Sequence, residues 1–268
     1  MRTTVRDERG WSGRGLHGGL PCKVLIAPAA AGRGRRINGR EATLDAVIDG
    51  AWATTLQTPK GPVRMVEHLL AALAGLGVDD CEVTVDGGEV PILDGSCAPY
   101  RDGLALCSHE GESAPLVVTE VVTVREGDRW VRAEPSATTS LGVDVAFRGL
   151  GRQRFDATLG AFAAVAPART FGFLRDRARL EAAGVARGAA LANTVVFDDR
   201  GLPMNPGGLR FDDEPARHKW LDLLGDLALL GRPIQARVLA FRAGHRLHHR
   251  LVAALLEAAR AGAGAPRS

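Results

Sequence analysis

The chain has few aromatic residues: Phe, Trp and Tyr make up 5% of 268 residues, and Tyr occurs once. That scarcity argues against a function built on stacking bases on aromatic rings. Charge of one sign is also missing. Lys+Arg number 34 against 31 Asp+Glu, a net charge of +3 with neutral histidines, so no polyanion is coated and no nucleic-acid partner is expected. No apolar run approaches the roughly 20 residues that span a bilayer. Residues Met1 to Asp7 show no apolar run after their charges, so neither an integral membrane segment nor a signal peptide is expected. Cysteine is sparse, and Cys22, Cys81, Cys97 and Cys107 show no C-x-x-C spacing. That is no disulfide framework, and a reducing, cytoplasmic setting is the expectation.

What is present suits a folded globular chain: 46% hydrophobic residues and 24% charged. The length allows one or two domains of common size. Residues 1–48 read as short strands and turns, with Gly32-Arg33-Gly34-Arg35-Arg36 as an exposed loop. Leucines at 69, 70, 73 and 76 predict a helix over Val66–Leu76, ended by glycine. Cys81–Asp86 alternates like a strand. The polar stretch Cys107–Pro115 is the candidate boundary, which divides the chain into domains 1–112 and 113–268. Leu116–Val124, Arg129–Ala133, Leu141–Phe147 and Ile234–Phe241 read as strands, and Leu174–Ala183, Pro215–Leu230 and Arg246–Ala259 as helices. Residues 261–268 are expected to fray.

Glu67-His68 opens one leucine-rich helix that stops at glycine before a strand, and Arg217-His218 opens another. The parallel points to a duplicated α+β unit with a histidine at matching helix positions. Chance similarity between two amphipathic helices is the alternative.

Three constellations could carry chemistry. His218 and Asp222 stand at i and i+4, so on a helix an imidazole and a carboxylate can grip one ion, and Asp226 extends that face. A solvated polar face is the plainer reading. His68 could supply a third ligand, leaving Glu67 beside the ion to take a proton from water. Glu67 as a first-turn glutamate that favours the positive helix end is the alternative. His245, after Gly244, could act as an acid with an aspartate partner, although His245, His248 and His249 beside Arg246 and Arg250 also read as a basic helical face. The glycine-rich stretch around Leu16-His17 is a tight turn more readily than a phosphate loop, and Asp94-Gly95-Ser96-Cys97 a buried turn more readily than a nucleophile.

Five stretches in order carry a resemblance over nearly the whole chain. They are Gly15-Leu16-His17; Val66-Glu67-His68-Leu69 through Gly77; Glu89-Val90-Pro91-Ile92-Leu93-Asp94-Gly95-Ser96; Ala168-Arg169-Thr170-Phe171-Gly172-Phe173; and Arg217-His218-Lys219 through Asp222, Asp226 and Gly244-His245. Together they resemble the zinc-dependent UDP-3-O-acyl-N-acetylglucosamine deacetylases of lipid A biosynthesis. The resemblance implies an α+β fold of two similar domains, with helical layers packed between two outer sheets. It implies His68, His218 and Asp222 as ligands of Zn²⁺, for which Fe²⁺ would also suit, and Glu67 as the base. Thr170 would help hold the oxyanion, and His245, oriented by Asp226, would protonate the departing amine. Lys219 would meet the polar head of a UDP-sugar lipid, Phe171 and Phe173 would wall the sugar and nucleotide, and residues 174–194 would form an acyl-chain passage. A monomer is expected. Deacetylation of another acetylated sugar nucleotide, or silent binding of such a ligand, are the competing readings.

Overall fold

The computed structural model describes residues 1–264. Two five-stranded sheets dominate. In the first the strand order is Arg9–Arg14, Pro21–Pro28, Cys81–Asp86, Arg35–Ile37, Arg40–Glu41. In the second it is Val122–Glu126, Arg129–Glu134, Arg237–Phe241, Ser140–Phe147, Gly151–Thr158. Numbered along the chain within each sheet, both orders are first, second, fifth, third, fourth. The fifth strand is antiparallel to the second and parallel to the third in both. The same path is therefore traced twice, and the duplication read from two helix openings is a property of the fold.

Among the described residues six α-helices accompany the sheets: α1 (Val66–Gly75), α2 (Ala98–Gly103), α3 (Phe162–Val165), α4 (Arg177–Ala182), α5 (Glu214–Leu227) and α6 (His245–Gly264). In each half a helix, α1 or α5, leads into the fifth strand, and another, α2 or α6, follows it. The strands alternate as half-buried strands should, with Cys22, Val24 and Ile26 inward on one and Leu141, Val143 and Val145 on another. All of these but Cys22 join Leu69, Leu70 and Leu73 of α1 and Leu221, Leu224 and Leu227 of α5 in one continuous core. The α1 and α5 backbones touch where α5 carries Gly225: a Cβ there would stand 2.1 Å from the Glu67 carbonyl oxygen. Glycine at that point lets α5 lie against the turn that bears Glu67 and His68.

The structure corrects several expectations. The exposed-loop reading of residues 32–36 fails at Arg35, which begins a strand and is buried. Its Nη2 donates to the Ala228 carbonyl at 2.8 Å, so its donors serve the end of α5 instead of solvent. Leu116–Val124 is two strands: Leu116–Val117 runs parallel to Ile234–Gln235, and only from Val122 does the chain join the second sheet. The strand Gly151–Thr158 has no counterpart in the sequence reading, because only every other residue is partly covered and none is fully buried. The last helix extends to Gly264, beyond the expected fraying point, and 265–268 lie outside the described residues. The four cysteines are free, as expected.

Candidate active site

Helix α5 is buried almost throughout its length although it carries His218, Asp222 and Asp226. The solvated-face reading of this helix is therefore wrong: His218 is 2% and Asp222 3% exposed. Groups of this kind remain buried only when they are paired. One turn of helix sets the His218–Asp222 pair, and the α1/α5 contact brings His68 to it from the first half. His218 Nε2 lies 3.4 Å and His68 Nε2 3.8 Å from the same oxygen, Asp222 Oδ1. Ligands bonded to one tetrahedral ion at about 2.0–2.1 Å stand roughly 3.4 Å apart, so the spacing fits a shared cation.

The protonation states fit as well. His218 Nδ1 lies 3.1 Å from the Ala168 carbonyl, an acceptor, so the ring donates there and leaves Nε2 free to ligate. Burial, then the neighbouring His218, push His68 down to about 3. Burial likewise lowers His218, against the pull of Asp222. Burial works against the charge of Asp222, but Lys219 and His218 outweigh it and keep the carboxyl ionised. Lys219 reaches Asp222 Oδ2 at 2.7 Å, so its ammonium is tied to this carboxylate while it lines the cavity.

Glu67 faces the group from the first turn of α1, 2% exposed. Its Oε2 accepts the Thr54 N–H at 3.0 Å, and its Oε1 lies 3.7 Å from His245 Nε2. Burial pushes its carboxyl up to about 8, with His245 opposing. His245 opens α6, and its Nδ1 is 2.7 Å from Asp226 Oδ2. Burial alone would lower its pKa, but Asp226 and Glu67 raise it to about 10.

Asp226 holds more than the one expected partner. His248 Nδ1 is 2.8 Å from Oδ2, His249 Nε2 is 3.3 Å from Oδ1, and the Thr54 hydroxyl donates to Oδ1 at 2.6 Å. The basic-face reading of these histidines is thus overturned: His248 is 1% exposed and points inward. The separation of Asp226, His245 and His248 also suits a metal, but both imidazole Nδ1 atoms are at hydrogen-bond distance from one carboxylate oxygen, which assigns them as donors.

Thr170, Phe171 and Phe173 line the same cavity of about 810 Å³ with Glu67, His68, His218, Lys219, Asp222 and His245. The Thr170 N–H donates to Gly95 O at 2.7 Å and its carbonyl accepts the Val195 N–H at 2.8 Å. The Asp94–Cys97 segment is thereby explained as the buried turn that braces Thr170. Residues of 174–194 form another wall of the cavity, with Leu174, Leu180, Val185 and Leu191 beside Arg177, Arg179 and Arg187.

Two supporting carboxylates escaped the sequence reading. Glu89 accepts the N–H groups of His17 (2.7 Å) and Gly18 (2.8 Å), so the glycine-rich turn cradles an internal carboxylate. Glu214 accepts Arg169 Nε (2.8 Å) and the N–H groups of Arg169 (2.9 Å) and Arg210 (2.8 Å), which fixes the chain next to Thr170. Burial opposes the Glu214 charge, but these donors lower its pKa below the usual value. A depressed carboxyl contributes stability above its unfolded pKa of about 4.3, and that contribution is lost as pH falls through the folded value. Glu214→Gln is expected to destabilise by about 3–5 kcal/mol at pH 7, with the gap to wild type narrowing toward pH 3. Urea midpoints at the two pH values check this, and equal midpoints at pH 7 would refute it.

Residues 2–257 match the family model described as UDP-3-O-acyl N-acetylglycosamine deacetylase (LpxC). The chain belongs to this family. It is 42% identical over 274 residues to the UDP-3-O-acyl-N-acetylglucosamine deacetylase of Thermosynechococcus vestitus, covering 96% of this chain and 95% of that one. The proteins of the same name from Myxococcus xanthus (40% identical; 90% of this chain, 81% of that one) and Synechocystis sp. (39%; 94% and 97%) are also similar. The LpxC resemblance drawn from five short motifs thus extends along nearly the whole chain, and the α+β architecture accords with it. Among the described residues no helix is long and apolar enough to cross a membrane.

Proposed function

We propose that this protein hydrolyses the N-acetyl group of UDP-3-O-acyl-N-acetylglucosamine in lipid A biosynthesis, using Zn²⁺ held by His68, His218 and Asp222. The observation that carries the reading is the convergence of these three side chains from both halves of the chain, beside Glu67 and a His245–Asp226 pair. Two imidazoles and one carboxylate suit zinc, and the same set accommodates Fe²⁺. When bound, the cation supplies polarisation of the amide carbonyl and acidifies water. Glu67 takes the proton of the attacking water at Oε1, since Oε2 is occupied by Thr54. The Thr170 hydroxyl donates to the oxygen that gains charge. His245, held cationic by Asp226, passes its Nε2 proton to the nitrogen as the C–N bond breaks, and acetate leaves.

Phe171 and Phe173 border the sugar and nucleotide, Lys219 meets the polar head as well as Asp222, and residues 174–194 receive the acyl chain. The enzyme acts as a cytoplasmic monomer, with its domains divided at 112/113.

The deciding experiment is acetate release from UDP-3-O-acyl-N-acetylglucosamine by purified protein before and after chelation. Release is expected, lost on chelation and restored by zinc. No release by folded, zinc-loaded protein would move the assignment to another acetylated sugar nucleotide. A protein that purifies without metal and gains none would favour silent binding.

A further inference from the structure

The turn bearing His17 is a motif that the reaction above leaves without a role. His17 is 7% exposed and lines the active-site cavity. Its Nδ1 faces the Ala186 N–H at 3.4 Å. A ring nitrogen that accepts carries no proton, so the neutral ring is protonated at Nε2. Burial, against the opposing pull of Glu89, lowers the pKa and favours that neutral form. His17 Nε2 is buried and meets no hydrogen-bond partner among the described residues. A buried donor without an acceptor is costly and needs an explanation.

The surroundings hold the ring in this state. On one side the Glu89 carboxylate grips the His17 and Gly18 N–H groups. On the other, the strand of chain leaving α4 is strapped to the same turn: Arg187 N–H donates to the His17 carbonyl at 3.1 Å and Gly188 N–H to that of Leu16 at 2.9 Å. The two backbones are in contact, since a Cβ on Gly188 would stand 2.1 Å from Gly15 O. Ala186 takes φ +58° to make this approach. The strap belongs to the wall that carries Leu180, Val185 and Leu191, while Glu67 and His245 line the same cavity. His17 therefore joins the wall assigned to the acyl chain to the acid/base groups.

We infer that His17 is a substrate-contacting specificity residue, whose Nε2–H donates to the carbonyl oxygen of the 3-O-acyl ester. The inference rests on the proposed function. A neutral N–H suits an uncharged acceptor, whereas a phosphate is matched by the cationic side chains nearby. Of the uncharged acceptors on such a substrate, the ester carbonyl is the one that lies where acyl chain meets sugar.

The test compares the 3-O-acyl substrate with its ether-linked analogue, which keeps the chain and lacks the carbonyl. Wild type should prefer the ester by about 10- to 100-fold in kcat/KM, since the analogue leaves the buried donor unpaired. His17→Phe should lose that preference while its metal content stays unchanged. His17→Gln, whose amide nitrogen reaches the Nε2 position, should restore it. His17→Asn, which offers an acceptor to Ala186 but ends short of Nε2, should behave like the Phe variant. A preference that survives in the Phe and Asn variants overturns the assignment. A second measurement needs no turnover: long-range ¹H–¹⁵N correlation spectra, with the His17→Gln variant for assignment, should show His17 neutral and protonated at Nε2. A ring protonated at Nδ1, or charged at neutral pH, also overturns it. Wild-type acetate release from the ester serves as the separate control on the function itself.

Discussion

Glu67→Gln is expected to keep its metal and lose turnover, with kcat/KM lower by about 10²- to 10⁴-fold. The glutamine retains the shape and can still accept the Thr54 N–H, so the α1 turn and His68 stay in place. What disappears is a carboxylate able to take a proton at the oxygen that faces His245. His218→Ala is the contrasting case: it removes a proposed ligand and should lose metal and activity together. Metal analysis beside initial rates separates the two, and a fully active Glu67→Gln protein would show that the base has been misassigned. The pH dependence follows from the same pair. Burial pushes Glu67 up to about 8, and Asp226 and Glu67, against burial, raise His245 to about 10. A base must be deprotonated and an acid protonated, so the rate should rise as Glu67 ionises and fall as His245 loses its proton. A cation at the adjacent ligands favours the carboxylate, so it shifts the rising limb to lower pH. A flat profile across neutral and alkaline pH would count against the pairing.

Replacing Asp226 should be damaging in two separable ways. Asp226→Asn keeps the volume but removes the charge that holds His245 protonated. The falling limb of the pH–rate profile should move to lower pH, and kcat should drop by about 10²- to 10⁴-fold. Asp226→Ala goes further, stranding the His245 and His248 imidazoles in the interior and leaving the Thr54 hydroxyl and His249 Nε2, 3.0 Å apart, only each other. Loss of about 3–5 kcal/mol is expected, read as a lowered urea midpoint at pH 7. The two variants divide the carboxylate's roles, because only the second should unfold markedly earlier. An unchanged alkaline limb in Asp226→Asn would mean that His245 does not depend on this partner for its charge.

Much of the active site could be read from the chain because helical pitch is a local property. His218 and Asp222 must share a face wherever α5 forms, and Asp226 must follow one turn later. The matching openings of α1 and α5 carried the duplication for the same reason, and the sparse cysteine pattern already spoke against disulfides. Sequence alone therefore determined α1, α5 and the start of α6, the candidate His218–Asp222 pair and the repeated plan. It could not say whether those faces were wet or dry, and on that question the solvated readings of α5 and of His248 failed. Burial depends on what packs across, here α1 against α5 through Gly225, and on the strands that close the sheets beyond them. The same limit hid Thr54, Glu89 and Glu214. Each is an ordinary polar residue whose partners include residues far along the chain: Thr54 and Asp226 are 172 residues apart, His17 and Glu89 72. No local spacing encodes such pairs. They exist because the folded chain desolvates a charge or a donor, and a desolvated polar group must find its partner wherever the tertiary path brings one.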